Sequence, residues 1–366
     1  MSPVANRHIC HVFPSLSWGG AEIYAIKLAA WQHERGERVS VWTSPESRMA
    51  KEARARGLDV IESELPQRQP FVALGQIKKT INDRGITHLH HHWAGGPWTF
   101  LGIGFFAKVR QLVHMHLWIS RNKRDLVHRL LYRGIDAMIV AGERAAIAAR
   151  ELLAIDSSKI RIVPYAMDLD KFASLPALPF AVPSEGRLVG MFARLDEQKG
   201  TLELLRAAEI FMKALPDVSL VLMGDPNVDD AGPDGYSARV STYHATHPFR
   251  ERIKFIPFHR DYLAVMKKCS LVVAPSYHES YSLVFLDAFA LGIPVLTTDI
   301  GGSPDLVPTS RGWLAKPRDV ASLASGVEEA LRDPEELARR GRQARDYVFQ
   351  NHSPDAVLAR LALLYS

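Results

Sequence analysis

The sequence predicts an α/β protein built from two Rossmann-like domains with parallel sheets, and three observations carry that expectation. Short β-branched apolar runs alternate with amphipathic stretches through the first half of the chain. The alternation breaks in a proline-punctuated stretch between Asp168 and Arg187 and then restarts. At 366 residues the chain is also too long for one ordinary core.

In the first half, His8 to Phe13, Val39 to Thr43, Leu58 to Ile61, His88 to His91, Leu112 to His116, Ala137 to Ala141 and Ile160 to Val163 read as strands. The stretches between them have helical periodicity. Parallel strands need crossover connections, so this order favours an open doubly wound sheet over a sandwich or bundle. The first domain is expected over residues 1–170. Three prolines and a glycine then mark a linker over 171–186. Leu188 to Ala193, Ser219 to Met223, Ile253 to Ile256, Leu271 to Ala274 and Val295 to Thr297 give a second domain over 187–345. A helical segment over 346–366 is expected to close the chain, with Pro334 and Pro354 placed where helices can begin. Two such domains facing one another would put the carboxyl ends of their strands on a deep shared cleft.

Composition narrows the function classes. At 47% hydrophobic, 23% charged and 9% aromatic, the chain is neither disordered nor of low complexity. No apolar run approaches the roughly 20 residues that span a bilayer, and the beginning lacks a signal-like apolar region, so a cytoplasmic protein is expected. Two cysteines, Cys10 and Cys269, form no metal-ligand spacing and read as buried thiols. The net charge of +5 is concentrated: residues 101–135 hold Lys108, Arg110, Arg121, Lys123, Arg124, Arg129 and Arg133 against Asp125 alone. Such a segment suits phosphates or an anionic lipid surface, or is simply a solvated helix face.

Three strand-to-helix turns carry candidate chemistry. In Ser17-Trp18-Gly19-Gly20-Ala21-Glu22 the paired glycines let backbone amides approach an anion at a helix start, or form only a tight connection. In the stretch from Ala193 to Gly200, Arg194 offers a planar fork and Lys199 a point charge, a pair suited to a diphosphate; surface ion pairing with Asp196 or Glu197 is the alternative. From Pro275 to Asp287 a polar turn containing Glu279 leads into an apolar helix. There the amides of Tyr281, Ser282 and Leu283 begin the helix, and Asp287 falls among Val, Phe, Leu and Ala, where it needs a partner.

Taken in order, Gly19-Gly20-Ala21-Glu22, His116, Val163-Pro164 with Asp168 and Phe172, Arg194 to Gly200, Pro275-Ser276 with Glu279 and Asp287, Gly292 to Val295, and Gly301 to Asp305 resemble the retaining glycosyltransferases of family four, which have the GT-B architecture. The resemblance spans nearly the whole chain. It implies that Arg194 and Lys199 hold a donor diphosphate and that Asp287, standing where the family often has a second Glu, binds ribose hydroxyls. It further implies that Glu279 and His116 approach the donor sugar. Gly19 and Gly20 would close over the donor through their backbone, and Tyr281, Ser282 and Leu283 would support its phosphates and sugar.

The expected activity is therefore retaining, metal-independent hexosyl transfer from a nucleoside diphosphate sugar, UDP-hexose being favoured, to a hydroxyl acceptor, with no cofactor and no nucleic acid partner. The resemblance favours a saccharide or lipid-linked acceptor of bacterial lipopolysaccharide or surface-polysaccharide synthesis. The aromatic residues Trp93, Trp98, Phe100, Phe105, Phe106 and Trp118 beside the basic segment fit such an acceptor and a peripheral site at the inner membrane face. A nucleotide-sugar epimerase of related fold and a noncatalytic nucleotide-sugar or glycan-binding protein are the alternatives. His88, His90, His91, His92, His114 and His116 invite a metal reading. Strand alternation is expected to send neighbours to opposite faces, and no carboxylate completes a ligand set, so no metal site is expected.

Overall fold

The computed structural model describes residues 7–16, 18–63, 70–92, 103–178, 180–183, 185–225 and 235–366. Its contacts divide the chain into two units: Met1–Met167 with Pro354–Ser366, and Asp168–Ser353. The terminal segment expected from residue 346 is thereby split. Helix Pro334–Asn351 stays with the second unit, and helix Pro354–Ala362 packs on the first.

The first unit is a seven-stranded parallel sheet of β1 (His8–Phe13), β2 (Arg38–Thr43), β3 (Asp59–Glu62), β4 (His88–His91), β5 (Arg110–His114), β6 (Ala137–Val140) and β7 (Ile160–Ile162). Their spatial order is β3-β2-β1-β4-β5-β6-β7, so the winding reverses between β1 and β4. All pairings are parallel. Register fixes which side chains share a face: His11 lies beside His90, and His90 beside Leu112. With the two-residue repeat of a strand, His11, His90 and His114 stand on one face and Cys10, Leu89 and Val113 on the other. The second face packs Ile77, Ile81 and Ile103 against Cys10 and Leu89. Burial pushes the Cys10 thiol up to about 12, which makes it a core side chain rather than a nucleophile.

The second unit is a six-stranded parallel sheet, ordered β10-β9-β8-β11-β12-β13. Its strands are β8 (Arg187–Phe192), β9 (Val218–Met223), β10 (Ile253–Ile256), β11 (Leu271–Ala274), β12 (Val295–Thr298) and β13 (Gly312–Ala315). The reversal lies between β8 and β11. Twelve strands match the runs read from sequence. The thirteenth, β13, does not: it is a four-residue edge strand opened by a glycine, too short to show a period. The core on one face joins helices Thr201–Ala214 and Val320–Arg332 through Leu204, Phe211, Val327 and Leu331. No described helix is long and apolar enough to cross a membrane.

Candidate functional site

In the second unit, three connections leave the carboxyl ends of neighbouring strands on either side of the reversal, the place where open α/β sheets bind ligands. The first follows β8 and carries Arg194 and Lys199. The second follows β11 and carries Glu279; the third follows β12 and carries Gly301 and Gly302. They interlock through backbone. Tyr277 N–H donates to Gln198 O at 2.7 Å, and Gly302 N–H donates to Glu279 O at 3.2 Å. Gly200 has φ +72°, and a Cβ there would lie 2.3 Å from the Pro275 carbonyl oxygen, so no other residue permits this approach. Likewise a Cβ on Gly302 would meet Ser280 O at 2.1 Å.

This bracing brings the Lys199 ammonium to 3.2 Å from Glu279 Oε2, across 80 residues of sequence. Arg194 stands 69% exposed, with Asp196 Oδ2 at 3.4 Å from its guanidinium. Asp196 is thus the acidic neighbour of Arg194, whereas Lys199 pairs with Glu279 rather than with either acid of its own turn. Beyond Glu279 the chain enters helix Leu283–Ala290, with Ser282 at its N-cap in extended conformation and no side-chain cap. Tyr281 is buried, its hydroxyl 3.4 Å from His352 Nε2. The amide end of this helix thus points out of the same connection that carries Glu279.

Asp287 is 4% exposed, and the structure supplies the partners that its apolar setting demands. Lys171 Nζ donates to Oδ1 at 2.7 Å, and the Tyr262 hydroxyl donates to Oδ2. Burial, reinforced by the Asp287 charge, holds the Tyr262 hydroxyl well above its ordinary pKa. Sequence reasoning missed Lys171 and Tyr262. Lys171 fell within the expected linker, and no spacing rule links it to an acid 116 residues away.

In the first unit, the connections after β1, β4 and β5 surround a cavity of about 730 Å³. Phe13, Ser15, Gly20, Glu22, His92 and His116 line its inner part, and Trp118, Arg121 and Lys123 its outer part. Helix Gly20–Glu34 begins here, and the N-cap amide before it already has an acceptor: Glu22 Oε2 takes the Gly19 N–H at 3.0 Å, and Glu22 Oε1 takes the Ser15 hydroxyl at 2.9 Å. A carboxylate of the chain itself therefore engages one amide of the glycine pair, that of Gly19. Ser17, Trp93, Trp98 and Phe100 lie outside the described residues, as does the Phe105 side chain.

The expectation that alternation scatters the histidines is corrected by the register. His90 and His92 project from alternate positions, as do His114 and His116, and all four meet His11 on one face. These five rings are at most 7% exposed. His116 Nε2 lies 3.0 Å from His92 Nδ1, and His116 Nδ1 lies 2.9 Å from the Tyr165 hydroxyl, so both nitrogens of the expected sugar contact are engaged. Burial away from water favours the neutral rings, pushing His116 down to about 3, His11 to about 4, and His90, His92 and His114 well below the ordinary value. Two triads, His11/His90/His92 and His92/His114/His116, place ligand atoms within 4.8 Å of one another.

Comparison with known proteins accounts for both units. A profile described as "Glycosyl transferase 4-like domain" matches residues 19–166, and one described as "Glycosyl transferases group 1" matches residues 179–347. The chain belongs to the group 1 glycosyltransferases, of GT-B type. Among curated relatives it is 24% identical to a glycogen synthase of Mycobacterium tuberculosis, covering 98% of this chain and 90% of that protein. A glycosyltransferase structure from Rickettsia africae superposes with a TM-score of 0.86 at 19% identity, covering 98% of each chain. Anabaena Alr3699/HepE in complex with UDP superposes with a TM-score of 0.83 at 18% identity, covering 97% of this chain and 98% of that one. Family membership sets the chain among glycosyltransferases.

The buried neutral imidazoles make stability depend on pH with a definite sign. Their folded pKa values lie below the unfolded value near 6.5, so the unfolded chain binds more protons between the two. Stability is full above about pH 6.5 and is lost as pH falls toward 4, by up to about 1.4 kcal/mol per pH unit for each ring. Thermal unfolding at pH 7 and pH 5 should show a large drop in Tm. His91, pushed down to about 4 by burial against the opposing effect of its Gln111 hydrogen bond, supplies a control: His91→Gln should flatten the slope by about one proton, and a wild-type Tm unchanged between the two pH values contradicts the account.

Proposed function

We propose that the protein is a retaining hexosyltransferase that takes its sugar from a nucleoside diphosphate donor, UDP-hexose first among them, and passes it to a hydroxyl of a saccharide or lipid-linked acceptor. The observation that carries this reading is the interlocked pair of connections in the second unit, which holds Lys199, Glu279 and the start of helix Leu283–Ala290 together beside Arg194. Cleavage of a glycosyl diphosphate leaves new negative charge on the departing phosphate. A guanidinium, an ammonium and helix amides aimed at that phosphate bind the transition state more tightly than the substrate. These groups do the work that a divalent ion does elsewhere, so the reaction is proposed to need neither metal nor cofactor. The UDP complex of the similar Anabaena protein supports uridine as the donor base.

Glu279 is engaged by Lys199, which favours an orienting role toward the donor sugar over that of a covalent nucleophile, and hence retention by same-face attack. Asp287, already a double acceptor, would exchange Tyr262 or Lys171 for a ribose hydroxyl. In the first unit, His116 would meet a sugar hydroxyl in place of Tyr165, beside the backbone of Gly19 and Gly20.

The acceptor reading rests on the outer part of the first unit's cavity and on helix Leu126–Arg133. Arg121 and Lys123 suit an anionic acceptor, as in lipopolysaccharide or surface-polysaccharide assembly. On the helix, Leu126, Val127 and Leu130 are exposed between Arg124, Arg129 and Arg133. Apolar side chains flanked by cations match an anionic lipid surface at the cytoplasmic face of a membrane.

Arg194→Ala or Lys199→Ala should lower transfer roughly a hundredfold, the scale of losing one group that stabilises a developing anion, and EDTA should leave the wild-type rate unchanged. Near-normal turnover by both variants removes the diphosphate assignment. Sedimentation with anionic vesicles should carry the protein down at low salt and release it at high salt, because the attraction is confined to a Debye length. Equal sedimentation with neutral vesicles, or none with anionic ones, leaves the helix merely solvated.

A further inference from the structure

The five buried histidines have an order that neither the family match nor the proposed transfer reaction requires. His92 and His116 have ring centroids 5.2 Å apart and planes within 8°, yet their facing nitrogens are 3.0 Å apart. Rings that close through their nitrogens must meet edge to edge in one plane. His11 and His92 meet in the same way, at 2.7 Å, as do His90 and His114, at 3.3 Å. Different pairs lie face to face: His90 over His92 at 4.5 Å and His114 over His116 at 4.6 Å. The array is therefore two hydrogen-bonded rows, one stacked on the other.

Gln32 and Tyr365 join the rows. His11 Nε2 meets Gln32 Oε1 at 2.6 Å, Gln32 Nε2 donates to the Tyr365 hydroxyl at 3.1 Å, and that hydroxyl lies 2.5 Å from His90 Nδ1. An amide oxygen only accepts and an amide nitrogen only donates, so Gln32 decides the direction of every link in the row that begins at His11. His11 must carry its proton on Nε2 and accept at Nδ1 from His92. His92 in turn accepts from His116, and His116 accepts at Nδ1 from Tyr165. On the other side the buried Tyr365 hydroxyl, accepting from Gln32, finds an acceptor for its own hydrogen in His90 Nδ1, and His90 then donates to His114, whose Nε2 has no partner among the described residues. One directed chain thus runs from Tyr165 to Gln32 and back to His114. Its two rows point in opposite directions, so their dipoles oppose where the rings stack.

We propose that Gln32 and Tyr365 are positioning residues at the turn of this chain, and that they fix His116 as a ring with its proton on Nε2 and its Nδ1 lone pair open only to a hydrogen-bond donor, such as a hydroxyl. The proposal rests on the reading of the first unit's cavity as a substrate site, where His116 stands at the wall. It gives that wall a specificity: a sugar or acceptor hydroxyl can replace Tyr165 at Nδ1, whereas a phosphate oxygen cannot. It also explains why a glutamine lies 3% exposed on the inner side of helix Gly20–Glu34, and why Tyr365 is buried against His90. The metal-like triads are proximity without convergence, because the in-plane lone pairs of bonded rings face one another rather than a common point.

The test reads the tautomers directly, by nitrogen NMR of histidine-labelled protein, and so does not depend on turnover. In the wild type at pH 7, His11, His90, His92, His114 and His116 should all be neutral with the proton on Nε2. Any of them charged, or protonated on Nδ1, overturns the chain. Tyr365→Phe, which keeps the ring and removes the link, should release His90 and His114 to mixed tautomers and leave the other three unchanged; a change in all five or in none overturns it. Gln32→Leu should mix the tautomers of His116 and lower kcat about tenfold, in the range typical of an outer partner of a site residue, with the KM for donor held. An unchanged kcat beside an altered His116 tautomer removes the positioning role. Zinc alone, titrated into the wild type, should leave the five signals in place, and stoichiometric binding that abolishes them overturns the proposal. If no glycosyl transfer is found, the tautomer results still decide whether the chain exists.

Discussion

The arrangement in the second unit depends on one close approach. The connection after β8 and the connection after β11 touch at Gly200 and the Pro275 carbonyl, with no room for a Cβ between them. Parallel strands on either side of the winding reversal separate their outgoing connections in opposite directions, which opens a crevice at that point. Left alone, a lysine on one wall and a glutamate on the other would not meet. The glycine contact and the Tyr277 to Gln198 hydrogen bond draw the walls together, and Lys199 reaches Glu279 as a result. Charge and helix amides then lie within one braced set of connections, which leads into the helix that buries Asp287 between its two partners. Preorganisation of this kind is what lets fixed dipoles favour a transition state over a ground state.

The first unit solves a different problem. Its sheet carries polar rings where a parallel sheet normally carries Val, Ile or Leu on both faces. Each buried imidazole costs stability unless its nitrogens find partners. The register answers this by placing His11, His90 and His114 on one face of three adjacent strands, while His92 and His116 continue that face past the strand ends. Gln32 and Tyr365 supply the partners of His11 and His90 from a helix and from the last described residues, which leaves His114 Nε2 without a partner among the described residues. The return of residues 354–366 to the first unit has its physical reason here, in addition to the Arg35 to Asp355 ion pair at the surface.

How much was legible in the sequence follows from the range of each interaction. Strands with a sustained apolar pattern, such as His8 to Phe13 or Ser219 to Met223, announce themselves locally. So do turns marked by glycine and proline. β13 escaped because four residues opened by a glycine hold no period. The order of the motifs sufficed for the family, and family membership is borne out on both halves of the chain. Partners that join distant segments were not legible. Lys171 with Asp287, Glu22 folded back on Gly19, and Gln32 with Tyr365 depend on where the fold brings the chain together. The histidines are the instructive case: alternation separates only sequence neighbours, His91 from His90 and His92, and it is register across three strands that brings the pairs His90/His92 and His114/His116 to His11. The only local hint was Gln32, eight residues after Tyr24 and so on the same inward face of a helix that otherwise buries apolar side chains.

The central claim is that the second unit's braced connections hold the diphosphate of the donor. Hydrogen exchange with and without UDP tests it most directly, since it needs no acceptor and no turnover. The account predicts slowed exchange at the amides of residues 194–200 and 276–283 in the presence of UDP. Protection confined to residues 13–22 and 115–123 of the first unit, or no protection at saturating UDP, would contradict it.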